Sequence, residues 1–126
     1  MKTPLPEALE KIAILTLKLE RLPGDEERPY VKREHDFYTA VIDLYRLEGV
    51  AVDERWLQDL VAINGRIWDV EASIRQGHDA ELGLEEIGRR ALKIRTINKE
   101  RIEYKNKVAR ELGMDFFEIK IDHASE

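Results

Sequence analysis

Residues Leu84 to Leu112, LEEIGRRALKIRTINKERIEYKNKVAREL, decide the fold class. Leu84, Ile87, Ala91, Ile94, Ile97, Ile102, Val108, Ala109 and Leu112 fall on one arc of a helical wheel, no proline interrupts them, and Gly113 follows where a left-handed cap ends a helix. The stretch predicts a long amphipathic helix. Upstream, Trp56, Leu60, Ile63, Ile67, Val70 and Ile74 recur at steps of four and three behind Asp53, a good helix cap, and predict another helix ending at Gln76-Gly77. Asn64-Gly65 lies inside it. Asn-Gly between apolar runs is also the strongest short hairpin signal, so a β-hairpin is the alternative there. The wheel favours helix, placing Gly65 on the side away from the apolar stripe, where it costs ~1 kcal/mol against Ala.

Two further helices precede these. Thr3-Pro4 is a helix start, and the helix it opens runs to about Leu22, before Pro23-Gly24 and the acidic loop Asp25 to Glu27. Ala8, Ile12, Leu15, Leu19 and Leu22 make its main stripe, while Leu5, Leu9, Ile14 and Leu17 make much of the remaining circumference apolar, which predicts a central position. From Pro29 to Glu48, Val31, Tyr38, Val41, Ile42 and Tyr45 share a face, and Gly49 supplies a cap. Gly77 to Gly83 reads as a polar loop. After Gly113, Phe117, Ile119 and Ile121 alternate with charged residues, the period of a short strand or extended docking arm. The expectation is an all-α, four-helix bundle over residues 1 to 113, with long third and fourth helices, and a short extended tail over 114 to 126.

The 126 residues suit one domain rather than two, and 7 Gly and 4 Pro against 37% charged residues suit helices rather than turn-rich β structure. The chain has no cysteine, which removes disulfides and thiolate metal sites and fits a reducing compartment. Its longest apolar runs, Ile12 to Leu15 and Leu60 to Ile63, are far shorter than a membrane span, and Met1 to Pro4 opens no signal pattern. A soluble, cytoplasmic protein with no membrane partner is expected.

The net charge of −5 conceals a segregation. Eleven basic and nineteen acidic residues precede Gly88, nine basic and two acidic lie from Gly88 to Arg110, and one basic and five acidic follow. The fourth helix is thus a basic rod on an acidic body. Arg90, Asn98, Arg101 and Lys105 fall inside its apolar arc, whereas Arg89, Lys93, Lys99, Lys107 and Arg110 fall outside. Asn64 and Glu71 sit at the edge of the third helix's arc, and Lys11 and Lys18 at the margin of the first helix's stripe. Charges are not left unpaired in a core, so Glu71 is expected to pair with one or more of Arg90, Arg101 and Lys105, with Asn64 and Asn98 completing a buried polar layer that fixes helix register. The alternative is that Lys11, Lys18, Arg90, Arg101 and Lys105 converge opposite only Glu71 and Glu34 and hold a phosphate or carboxylate. Tyr38 and Tyr45 read as core residues whose hydroxyls suit either arrangement.

No catalytic motif is present. His35, His78 and His123 stand apart, with no metal-binding spacing; Gly83 and Gly88 imitate a phosphate loop, but Arg89-Arg90 stand where it needs Lys-Ser/Thr. No cofactor is indicated. All-helical chorismate mutases bind a dicarboxylate between helices through Arg and Lys, and the cationic arc shares that chemistry without their motifs. A pI near 5.3 and the inward placement of several cations argue against nucleic acid. The reading is therefore a non-enzymatic helical interaction or oligomerisation module, a homodimer or the partner of another protein. Trp56 and Trp68 are expected to be too much for one small bundle to cover.

Leu9 to Leu22, LEKIAILTLKLERL, Leu60 to Arg75, LVAINGRIWDVEASIR, and Leu84 to Lys107, LEEIGRRALKIRTINKERIEYKNK, together resemble an uncharacterised family of small bacterial all-helical proteins of unknown function, and Leu112 to Lys120, LGMDFFEIK, is similar to that family's ending. The resemblance omits Asp25 to Val52. It implies a bacterial or phage origin and a helical architecture, and it brings no activity, cofactor or catalytic residue.

Overall fold

Helix α1 (Leu5–Arg21) starts directly after Pro4, whose carbonyl accepts the Ala8 amide at 3.0 Å. α2 (Arg28–Leu47), α3 (Glu54–Gly77) and α4 (Asp79–Glu111) follow, and no strand occurs among the residues described by this computed structural model, 3–21, 24–77 and 79–113. The fold is an all-α four-helix bundle in which α3 and α4 are the long members. The alternating segment after Gly113 lies outside the described residues. None of the described helices is long and apolar enough to cross a membrane.

Local chemistry sets the helix ends. At the end of α2, Gly49 has φ +92° and its N–H bonds the Arg46 carbonyl, while the Val50 N–H reaches back to the Tyr45 carbonyl, closing a left-handed cap. Asp53 caps α3 by accepting the Arg55 amide at 2.9 Å, and hydrogen bonds from the Arg55 side chain and amide hold its carboxyl below the usual range. α3 runs unbroken through Asn64-Gly65, so the hairpin alternative does not occur. The predicted loop from Gly77 to Gly83 is shorter than expected: α4 begins at Asp79 and breaks only at Gly83, whose φ of 77° and ψ of 156° are not helical.

α1 packs against α2, α3 and α4, α3 packs against α4, and among the described residues α2 packs on no helix but α1. The central core joins Leu5, Ala8, Leu9, Ile12 and Ala13 of α1 to Val41 and Ile42 of α2, Leu60 of α3 and Val108 of α4. Tyr38 and Tyr45 pack against this cluster, and the Tyr45 hydroxyl donates to the Thr3 carbonyl at 2.7 Å, fixing α2 antiparallel to α1. Arg21, the last residue of α1, bonds Asp69 of α3 at 2.7 Å, so at 1.5 Å per residue the last turns of α3 and the first turns of α4 project past the end of α1.

That overrun corrects the predicted arc of the fourth helix. Ile97, Ile102, Val108 and Ala109 are buried, but Leu84 and Ala91 are exposed, because α1 no longer covers α4 at their level. Gly65 is a second correction. It is buried against α1, and a Cβ there would lie 3.5 Å from Arg21 Nη2 and 3.7 Å from Leu17 Cδ2. The wheel misplaced it because α3 has two covered sides, one facing α4 and one facing α1. The tryptophans are a third. Trp56 donates its indole N–H to Glu111 at 3.1 Å, Trp68 lies under the Arg21 guanidinium at 5.8 Å, and both are half-buried within one chain.

Candidate functional site

The inward polar residues meet between α1 and α4. On α4, Arg101 and Lys105 are four residues apart and share a side; on α1, Glu7 and Glu10 are three apart and face them. Arg101 donates to Glu10, and Lys105 lies 3.3 Å from Glu10 and 2.5 Å from Glu7. The Lys105 side chain is 4% exposed and that of Glu10 9%. Asn98 accepts the Arg101 Nε–H at 3.3 Å, so the guanidinium is held from two directions. Buried Lys105 and half-buried Arg101 thus face two carboxylates, and the charge of the four sums to zero.

Glu71 is not the counter-ion. Its side chain is 47% exposed and its partner is Arg75 on its own helix, 3.8 Å away. The acid that closes the buried set is Glu10, with Glu7 beside it. Their burial follows from a feature legible in α1: on a helix apolar around most of its circumference, an acid at the α4-facing edge has nowhere else to go. The other predicted members are dispersed. Arg90 bonds Glu86 on its own helix at 3.0 Å and the Ser73 carbonyl of α3 at 3.1 Å. Asn64 is buried but donates to the Leu60 carbonyl at 2.9 Å, bracing α3 itself. Lys11 is exposed, Lys18 borders a crevice with Glu27, Arg28 and Val31 at the start of α2, and Glu34 is exposed on α2. Lys11, Lys18 and Arg90 do not converge with Arg101 and Lys105.

The outer side of α4 makes further polar contacts, within the helix and to α3. Arg66 of α3 bonds Glu100 at 2.7 Å, and Arg89 bonds Glu86 at 3.2 Å. Tyr104 donates its hydroxyl to Asp59 at 2.6 Å, and its burial, that hydrogen bond and the Asp59 charge push the phenol well above its ordinary pKa.

Two hollows remain. One, of about 310 Å³, lies between α2 and the start of α3, with Leu9, Ile12, Ile42 and Leu57 among its walls and His35 on its rim. His35 Nε2 is 3.3 Å from Thr16 Oγ1, while its buried Nδ1 has no partner among the described residues. The other is a shallow depression on the projecting hairpin, bordered by Val70, Ser73, Glu86, Arg89, Arg90 and Lys93. Among the described residues, no three His, Asp or Glu side chains group to hold a metal. Comparison with known proteins returns no match: no protein-family profile, no curated protein and no solved structure is similar to the chain.

Proposed function

We propose that the protein is a helical association module, whose inward charges fix the register of its own helices and whose outer faces bind a second helical surface. The observation that carries this reading is the distribution of exposed apolar side chains. Tyr30, Phe37, Leu44 and Leu47 on α2, and Leu84 and Leu92 on α4, are exposed, while the tryptophans and the buried charges are satisfied internally. Large apolar residues clustered on helix faces without helical neighbours mark interaction surfaces rather than random surface composition. The reading carries with it a cytoplasmic setting, which a chain without cysteine suits, and the bacterial origin that the family resemblance implies. Sedimentation at several protein concentrations tests it: a mass that grows with concentration supports association, and a strict monomer at high concentration counts against self-association.

A second reading, small-anion binding, rests on the depression beside Arg89, Arg90 and Lys93, where Lys93 has no ion-pair partner among the described residues. Arg101 and Lys105 do not support it, because Glu7 and Glu10 already occupy them. A rise in melting temperature with phosphate or a dicarboxylate, lost in Lys93→Ala, would favour this reading over the first.

A further inference from the structure

Tyr30, Phe37 and Leu44 are spaced by seven residues along α2, and Leu47 follows three later. Tyr30 is 66%, Phe37 59%, Leu44 48% and Leu47 84% exposed. With the exposed Arg33 and Ala40 they form a continuous a/d seam, the pattern by which two helices pack knobs into holes. The opposite side of α2 is already spent, since Val41, Ile42, Tyr38 and Tyr45 belong to the core or pack against it. Among the described residues no helix besides α1 packs on α2, and the seam is exposed.

We propose that this seam pairs with the same seam of a second copy of the chain, with the two α2 helices antiparallel about a two-fold axis between Phe37 and Ala40. The proposal rests on the association reading above and assigns that reading a face and a geometry. Side-chain size and charge select the direction. In an antiparallel pair each a residue meets a d residue: Phe37 meets the partner's Ala40, Tyr30 meets the partner's Leu47, and Arg33 lays its stem on the partner's Leu44. Large residues then fill the space left by small ones. A parallel pair would stack Arg33 on the partner's Arg33, burying like charges together. Asp36 and Asp43, which flank the seam, are each held by a cation on their own helix, Lys32 at 3.1 Å and Arg46 at 3.7 Å, so neither opposes the antiparallel approach as a bare charge. Four large side chains exposing on the order of 100 Å² each, counted on both copies and extended by Arg33 and Ala40, bury about 1,000 Å². That reaches the lower limit for a specific interface.

The test uses the full chain. Sedimentation equilibrium is measured for wild type, for Phe37→Glu on the seam and for Leu92→Glu on the projecting hairpin, with helicity by circular dichroism as the folding check. The expected result is a dimer weakened at least about tenfold by Phe37→Glu and within about twofold of wild type in Leu92→Glu. Because the chain has no cysteine, the double substitution Arg33→Cys with Leu44→Cys, read against each single substitution, reports the direction independently: a parallel pair joins like positions and cross-links in the singles as well, whereas an antiparallel pair cross-links only in the double. The two positions are about 16 Å apart on one helix and cannot bridge within a chain, so under mild oxidation a covalent dimer is expected from the antiparallel pair. A dimer that survives Phe37→Glu and is lost in Leu92→Glu overturns the α2 seam and leaves the association reading standing. Failure of the cysteine pair to cross-link in a chain that dimerises, or a covalent dimer from either single substitution, overturns the antiparallel geometry. A monomer at every concentration overturns both the seam and the self-association it rests on.

Discussion

Arg101 of α4 donates to Glu10 of α1 across 91 residues of sequence, and this contact, with Lys105 on the same carboxylate, registers α1 against α4. The central helix would otherwise present only apolar side chains to α4, and apolar contact alone tolerates sliding by a turn. A buried ion pair is weak evidence for stability but penalises every register that strands one of its charges.

Removing the buried acid should therefore be expensive. Glu10→Ala removes the carboxylate that Arg101 and Lys105 share and is expected to cost ~3 kcal/mol or more in urea unfolding. Glu71→Ala removes an exposed carboxylate and is expected to cost under ~0.5 kcal/mol. Equal losses in the two variants would show that the α1–α4 set does not hold the fold together.

Two glycines should respond in opposite directions to alanine. At Gly65 a Cβ would find ordinary contact distances to Leu17 and Arg21, so Gly65→Ala is expected to stabilise α3 by ~0.5–1 kcal/mol through helix propensity. At Gly49 nothing crowds the added atom, but φ of +92° disfavours any L side chain, and Gly49→Ala is expected to cost ~1 kcal/mol. Thermal unfolding of the pair separates packing from backbone conformation.

Tyr104 predicts an alkaline limit. Burial and the hydrogen bond to Asp59 keep its phenol protonated in the folded chain where the unfolded chain releases the proton near pH 10. The folded state then binds more protons, so stability falls as pH rises above about 10. In Tyr104→Phe that part of the decline is absent. Melting curves from neutral pH to about pH 11 should show a shallower alkaline slope for the variant, and parallel slopes would contradict the assignment.

Trp56 ties the start of α3 to the end of α4 through Glu111. Trp56→Phe keeps most of the apolar area and removes the indole donor, which is half-buried and bonded to an exposed acid, so a loss of about 1 kcal/mol is expected in urea unfolding. A loss several times larger would mean that the ring's packing, rather than its hydrogen bond, dominates.

The four helices, the caps at Gly49 and Asp53, and the inward position of Arg101 and Lys105 were legible in the sequence, because helical periodicity and capping are local properties carried by residues three or four apart. The partner of the buried cations was not. Glu71 and Glu10 look alike on separate wheels, and only the antiparallel placement of α1 along α4 brings Glu10 to Arg101 and leaves Glu71 in solvent. Gly65 escaped for a related reason: one apolar stripe marks one covered side, and nothing local announces that α3 is covered on two. Helix lengths were readable, but that α1 ends short of the α3–α4 hairpin tip, exposing Leu84 and Ala91, and that among the described helices α2 leans on α1, exposing the Tyr30–Phe37–Leu44–Leu47 seam, are decisions of tertiary packing, since exposure depends on which helices are neighbours and how far each extends.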